Sequence, residues 1–89
     1  MAKRGKLEII KDILRIIKKN RNSIKPTPLL RQSNISSSRF KQYFNELSER
    51  NFIKITNHKE GKLISLTKKG NKFLEKYKII INFIDEFEL

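Results

Sequence analysis

The sequence predicts a mainly α-helical fold with one small β-hairpin, an α+β arrangement that ends in a long C-terminal helix. Apolar side chains recur at helical spacing in three stretches, residues 6–19, 36–50 and 68–89. Two short runs rich in β-branched and aliphatic residues, 52–56 and 62–66, lie between the last two stretches and are typical of β-strands. Gly61 lies in the turn that would join them.

The composition limits the chain to one small domain without thiol chemistry. With 89 residues it is near the lower end of what one hydrophobic core supports, and it contains no cysteine for a disulfide or a thiolate metal site. The longest apolar run, residues 79–84, is interrupted by Asn82 and falls far short of the ~20 residues of a membrane span. We therefore expect a soluble, cytoplasmic protein with no membrane partner.

A strong excess of positive charge points to a polyanionic partner. The chain has 21 Lys and Arg against 9 Asp and Glu, a formal net charge of +12. Such a field attracts nucleic acid first and anionic membrane second. Lysine-rich, tryptophan-free sequences also arise from AT-rich genomes or adaptation to heat, so the charge alone does not decide the function.

The first half of the chain divides into a tail, a helix, an extended segment and a short helix. Residues 1–5 form a basic tail, and the first helix runs over residues 6–19 with Asn20 as a plausible C-cap. Residues 22–25 are extended and could supply a small third strand. Thr27 is expected to cap a brief second helix, which begins with Pro28 and ends near Asn34.

The third helix and the hairpin have clear boundary signals. Ser36 suits the N-cap of a helix whose inward face carries Phe40, Phe44 and Leu47 and which ends at about Arg50. Asn51 can then adopt the left-handed conformation. The turn is expected over residues 57–61, with positive φ at Gly61. Thr67 would cap the last helix, where Gly70 suggests that another backbone passes close by.

This order of elements resembles the winged helix-turn-helix DNA-binding family, most closely small archaeal regulators and chromatin-associated proteins. The resemblance covers most of the chain from Lys6 and depends on the short helix 28–33, the helix 36–50, the exit Leu47-Ser48-Glu49-Arg50-Asn51-Phe52-Ile53, and Leu66-Thr67-Lys68-Lys69-Gly70 after the hairpin. It implies a winged-helix domain over residues 6–67, with a recognition helix in the major groove, followed by a C-terminal dimerisation helix over residues 68–89. Asn51 departs from the family pattern, which usually has glycine there.

The third helix has the side chains that a recognition helix needs. Its predicted outward face comprises Ser37, Ser38, Arg39, Lys41, Gln42 and Asn45. Glutamine and asparagine can pair with adenine, while arginine and lysine reach guanine or phosphate. Any exposed helix face is polar, but a solvated face usually mixes charges, and residues 36–45 contain no acidic residue.

The hairpin would act as the wing, and its contribution is predicted to be to affinity rather than specificity. Lys59 and Lys62 are expected to contact the adjacent backbone or minor groove, with Asn57 and His58 nearby. Glu60 weakens this signal, so a solvated hairpin tip is an equal alternative.

The last helix is predicted to dimerise. The residues Phe73, Tyr77, Ile80, Ile84 and Phe87 are spaced 4, 3, 4 and 3 apart, as in a coiled-coil seam, and Ile81 flanks them. Lysines dominate its first part, whereas Asp85, Glu86 and Glu88 lie at its end. An antiparallel pair would bring the acidic ends toward the basic starts. The alternative is that this helix folds back onto the first helix.

The leading hypothesis is a homodimeric protein that binds double-stranded DNA as a transcriptional regulator or chromatin component associated with the nucleoid. The alternative is a winged-helix module that binds protein or RNA without specific duplex binding. An enzyme is the poorest of the three classes, because the sequence has no cysteine, no histidine–carboxylate pairing, no phosphate loop and no paired acids outside its C-terminal end. No cofactor, metal or small-molecule ligand is expected.

Overall fold

The computed structural model describes residues 5–89 and confirms the winged-helix fold. The elements follow in the order α1 (Lys6–Lys19), α2 (Pro26–Ser33), α3 (Ser37–Glu49), β1 (Ile53–His58), β2 (Gly61–Leu66) and α4 (Lys68–Glu86). The two strands form an antiparallel sheet. Residues 1–4 of the predicted basic tail lie outside the described residues.

Helix α1 lies at the centre of the hydrophobic core. Its buried stripe consists of Ile9, Ile10, Ile13, Leu14 and Ile17. These side chains form one buried cluster with Leu29 of α2, Leu47 of α3 and Ile64 of β2, and α1 itself lies against α2, α4 and β2. Burial of this apolar surface is the main favourable term in folding.

The end of α1 shows how the chain turns toward the sheet. Asn20 is the C-cap, as predicted, and its side-chain amide donates a hydrogen bond to the Ile16 carbonyl oxygen at 2.7 Å. Arg21 and Asn22 both have positive φ, 62° and 58°. The Asn22 side-chain oxygen accepts a hydrogen bond from the Leu66 amide at 2.6 Å, which ties this turn to β2.

The predicted third strand is present as a single β-bridge. Ile24 pairs with Ile64 through two backbone hydrogen bonds of 3.1 and 2.8 Å. Both side chains are buried, so the bridge places a hydrophobic residue against β2 on the side away from β1.

The predicted start of α2 was wrong. The helix begins at Pro26 with Lys25 as N-cap, and Thr27 lies inside the first turn instead of capping it. Proline fits this turn because its fixed φ is already helical and because the first amides of a helix need no intrahelical acceptor. Asn34 ends the helix with φ 57°.

The boundaries of α3 follow the local signals. The Ser36 side chain accepts a hydrogen bond from the Arg39 amide at 3.3 Å, which confirms the predicted N-cap. Asn51 has φ 62°, as predicted, and lets the Phe52 amide reach back to the Leu47 carbonyl at 2.9 Å.

The hairpin is tighter than the predicted five-residue loop. Asn57 pairs with Lys62 and His58 pairs with Gly61, so only Lys59 and Glu60 form the turn. Gly61 has φ 122°, a conformation that other residues rarely adopt, and this permits the ladder to continue to the tip. The first strand starts at Ile53, one residue later than expected.

Helix α4 is joined to the exit of α3 by a close backbone contact. Thr67 is the predicted N-cap, and its hydroxyl oxygen accepts from the Gly70 amide at 3.1 Å. A Cβ atom on Gly70 would overlap the carbonyl oxygen of Phe52, which confirms that a second backbone passes here. Phe73 follows one turn later and packs edge-to-face on Phe52, with ring centroids 5.5 Å apart.

The two halves of α4 differ in burial. In the first half, Phe73 and Leu74 pack against the core. Most large apolar side chains of the second half are exposed, with Ile79 61% and Phe83 54% accessible.

We expect Gly70→Ala to destabilise the protein. In an ordinary helix this change stabilises by about 1 kcal/mol, but here the added methyl group would displace the Phe52 backbone, an overpacking cost of about 1–3 kcal/mol. Urea unfolding should therefore show a lower free energy of unfolding. Gly5→Ala is the matched control because a Cβ there meets no atom within 4 Å. An unfolding midpoint raised by Gly70→Ala would contradict the close contact.

Candidate nucleic-acid interface

The core anchors α3 by one face and leaves the other in solvent. Phe40 and Leu47 are buried, and the half-buried Phe44 stacks on Phe40 with centroids 5.7 Å apart. All six predicted contact residues of this helix are exposed: Ser37, Ser38, Arg39, Lys41, Gln42 and Asn45. At about 100° per residue, Ser38, Gln42 and Asn45 are the most directly opposed to the buried side.

The N-terminus of α3 is polar and free of carboxylates. Its first turn has no acidic residue, and the hydroxyl oxygens of Ser36 and Ser38 lie 3.4 Å apart. The Ser36 side-chain oxygen accepts a hydrogen bond from the Arg39 amide only. The other amides of the first turn have no acceptor within the helix and point outward from its end. Such amides, together with the helix dipole, attract phosphate oxygens.

The acidic residues of α3 are confined to its second half, where Glu46 is neutralised. Lys6 of α1 contacts a Glu46 carboxylate oxygen at 2.9 Å, and the Arg50 guanidinium lies 3.3 Å from the same atom. The hydrogen bond from Lys6 is the main cause that lowers the pKa of Glu46 below its ordinary value of 4.5, with a further contribution from the Arg50 charge. Glu49 follows, exposed, in the last turn.

Sequence reasoning missed this ion pair and its role. Lys6 and Glu46 are 40 residues apart, and no local pattern links them. The contact connects the N-terminus of α1 to α3 and removes one negative charge from the helix that is predicted to approach nucleic acid.

The hairpin presents its two predicted lysines to solvent. Lys59 lies in the two-residue turn, and Lys62 pairs with Asn57 in the ladder; both lysines are exposed. Alternation along the strands puts Asn57 and Lys62 on the face that carries Ile55 and Ile64 nearer the base. This face therefore changes from apolar at the core to polar and basic at the tip.

Two further basic side chains were not predicted. Lys54 is exposed on β1 opposite Ser65, and Arg31 is exposed in the last turn of α2. Alternation within the strand could have identified Lys54, since it lies between the inward Ile53 and Ile55. Because β1 follows α3 after a short turn and packs against it, the helix and the wing are consecutive parts of one unit.

The described residues offer little for other kinds of site. Within residues 5–89 no three metal-ligating side chains are grouped. None of the helices in this range is long and apolar enough to cross a membrane. A groove of about 650 Å³ lies between α1 and α4, and its lining residues belong only to those two helices.

Comparison with known proteins agrees with this architecture. Residues 3–85 match the family model described as winged helix-turn-helix, and the chain belongs to this family. No curated protein matches the chain.

Two solved structures have a similar fold. One is Sso10a-2, a DNA-binding protein from Sulfolobus solfataricus, with TM-score 0.77 and 21% identity over 96% of this chain and 86% of that protein. The other is a winged-helix DNA-binding protein from STIV, with TM-score 0.73 and 19% identity over 80% of this chain and 84% of that one. At these identities the likeness concerns the fold.

We expect Lys6→Ala to raise the pKa of Glu46 toward its ordinary value, as measured by NMR titration of the side-chain carboxyl. Because the folded-state pKa is lowered, the pair stabilises the protein above the ordinary pKa, and this contribution is lost as the pH falls through the lowered value. The unfolding free energies of the wild type and the variant should thus differ at neutral pH and converge in acid. In Lys18→Ala, a control on the same helix, the pKa of Glu46 should not move; an equal response to both variants would contradict the pairing.

Proposed function

We propose that this protein is a homodimer that binds double-stranded DNA and acts as a transcriptional regulator or as a chromatin component of the nucleoid. The observation that carries the proposal is the exposed face of residues 37–45 of α3, which holds serines, Arg39, Lys41, Gln42 and Asn45 and contains no carboxylate. A helix of this width fits the major groove of B-DNA.

Some residues of α3 would bind the phosphate backbone and position the helix, and others would contact the bases and read the sequence. The serines and the free amides at the start of the helix would meet phosphate oxygens. Gln42 and Asn45 would read base edges, since their amides can pair bidentately with adenine. Arg39 and Lys41, on opposite flanks of this face, would reach guanine or the two phosphate backbones.

The wing would supply a second, sequence-independent contact. Lys59 and Lys62 stand at the polar tip of the hairpin, where they would contact backbone phosphates or the adjacent minor groove. Their role would be to increase affinity and set the orientation of α3 on the duplex.

Dimerisation through antiparallel α4 helices would present two recognition helices to one side of the DNA. The exposed apolar side chains at the end of α4 support an association through this helix. A two-fold dimer would favour half-sites separated by about one turn of DNA (~34 Å) or a multiple of it. The same apolar surface is what favours the second candidate, a winged-helix module that captures a protein or RNA and does not bind duplex.

Duplex binding is expected to weaken steeply with salt, because each phosphate contact releases counterions. Fluorescence anisotropy with a labelled duplex, at about 50 to 200 mM salt, measures the slope of log affinity against log salt concentration. Single-stranded RNA of the same length is the comparison ligand. A flat slope, or preference for RNA, would favour the second candidate.

Variants separate the roles of individual side chains. Lys41→Ala should weaken binding to all sequences and reduce the salt slope by about 1, whereas Gln42→Ala should reduce discrimination between sequences by about 1–3 kcal/mol. Lys78→Ala removes the same charge in the groove between α1 and α4, away from α3 and the wing, and is the matched control. If Lys78→Ala weakened binding as much as Lys41→Ala, the assignment of α3 as the recognition helix would fail.

A further inference from the structure

The exposed apolar surface of the molecule is concentrated at one end of α4. In residues 5–89, all the exposed large hydrophobic side chains except Leu7 belong to residues 79–89. Ile79, Ile80, Phe83 and Phe87 are each more than half accessible, at 61%, 55%, 54% and 58%. A contiguous surface of this kind on a small soluble domain usually marks a contact with another molecule.

The first half of the predicted coiled-coil seam is already engaged within the chain. Phe73 packs edge-to-face on Phe52, and it stacks on Tyr77 with centroids 6.1 Å apart. Tyr77 in turn lies under the Lys11 ammonium group of α1, 5.7 Å from its ring centroid. Both aromatic rings are half-buried in the isolated chain, so they have less surface to offer a second copy than the predicted seam requires.

A different line of residues on α4 consists only of exposed positions. Lys72, Lys76, Ile79, Phe83 and Glu86 follow one another at intervals of 4, 3, 4 and 3, the spacing that keeps residues on one side of a helix. We call this line the outer face of α4. Ile80 and Phe87 border it, and the rings of Phe83 and Phe87 lie in contact, with centroids 4.8 Å apart. The outer face points away from the side that packs on the core through Gly70 and Leu74.

The charges along the outer face suit pairing with a second copy that runs in the opposite direction. Two lysines begin it, Ile79 lies at the middle and Phe83 with Glu86 ends it. If two copies are placed antiparallel with the two-fold axis beside Ile79, Lys72 of each copy comes opposite Glu86 of the other. Lys76 of each copy then lies along the Phe83 ring of the other copy, and the two Ile79 side chains meet at the axis. Glu75, the one carboxylate in this basic stretch, lies one turn before Ile79 at the edge of the outer face and also lines the groove toward α1.

We infer that a second copy of this chain covers the outer face of α4, with the two helices antiparallel and the two-fold axis beside Ile79. The contact is isologous, since one surface meets itself, and its opposite charges set the register. A parallel pair would instead place Lys72 and Lys76 against their own copies. This inference rests on the proposed homodimer and specifies which side of α4 forms it: the side of Ile79 and Phe83 and not the side of Phe73 and Tyr77.

The orientation of the recognition helices would follow from this choice of face. The start of α4 is held against the exit of α3 by Thr67, Lys69 and Gly70. Rotating the dimer contact around α4 would therefore rotate both copies of α3 relative to each other and to the DNA.

Sedimentation equilibrium of the full chain tests the contact with one variant and one matched control. Phe83→Lys puts a charge in the apolar part of the outer face and should weaken the dimer by about tenfold or more. Asn82→Lys adds the same charge one residue earlier, toward the groove between α1 and α4, and should leave the dimer affinity within about twofold of wild type. Both positions are exposed, so helicity measured by circular dichroism should stay unchanged.

A charge exchange tests the register. Lys72→Glu and Glu86→Lys should each weaken the dimer, and the double variant should recover it, because the exchanged charges again face each other across the two-fold axis. A dimer that Phe83→Lys leaves intact, or single variants that the double does not rescue, would overturn the inference while the proposed homodimer stands. If the wild-type protein is monomeric at every concentration, both the proposed homodimer and this contact are wrong. The DNA-binding proposal is tested separately, by duplex binding measured with anisotropy.

Discussion

The contact between the backbones of Phe52 and Gly70 is the constraint on which the functional geometry depends. Three successive carbonyl groups at the exit of α3 accept hydrogen bonds from the start of α4. The Arg50 oxygen accepts from the Lys69 ammonium group at 2.8 Å, the Asn51 oxygen from the Thr67 hydroxyl at 2.5 Å, and the Phe52 oxygen from the Thr67 amide at 3.2 Å. The last carbonyls of α3 itself accept from the Arg50, Asn51 and Phe52 amides, so this junction satisfies the segment that leaves α3 and fixes the start of α4 against it.

The same junction explains why glycine occupies a helical position where it would ordinarily cost stability. Any side chain at residue 70 would separate α4 from Phe52 and break the hydrogen bonds that depend on their closeness. Lys69 adds to the junction, because its ammonium group lies 4.7 Å from the centroid of the Phe52 ring while it donates to Arg50. The element predicted to read DNA and the element predicted to dimerise are therefore joined directly through this junction.

The parts of the fold that could be predicted from sequence are those set by local chemistry. Ser36 and Thr67 are predictable caps because a hydroxyl before a helical stretch satisfies an amide three residues on. Asn51 was correctly placed in the left-handed region because asparagine, after glycine, is among the residues that adopt it most often. The prediction that Thr27 caps α2 was wrong because two local signals compete. Thr27 before Pro28 suits an N-cap, but Pro26 also suits the first turn, and local chemistry does not rank one above the other.

The parts that could not be predicted depend on which segments meet in space. The pairing of Lys6 with Glu46 joins residues that no periodicity relates. On α4, the spacing predicts a seam through Phe73, Tyr77, Ile80, Ile84 and Phe87, but a helix with apolar residues on several sides contains more than one regular line. Only the packing of the chain shows that Phe73 and Tyr77 are half-buried against Phe52 and Lys11 while Ile79 and Phe83 stay exposed.

The distribution of charge connects the two proposed surfaces. The net charge of +12 is not spread evenly, since three of the nine acidic residues follow Ile84 at the end of α4 and a fourth, Glu46, is neutralised by Lys6 and Arg50. An antiparallel dimer would bring Glu86 against Lys72 of the other copy, so the negative end of each helix would be compensated by lysines that do not face DNA. Residues 37–45 of α3 hold Arg39 and Lys41 and no acidic residue, and the hairpin holds three lysines against Glu60, so a positive potential that attracts polyanions would remain on these two surfaces. Pairing of the acidic ends within the dimer would keep them from weakening the field that guides the protein to a duplex.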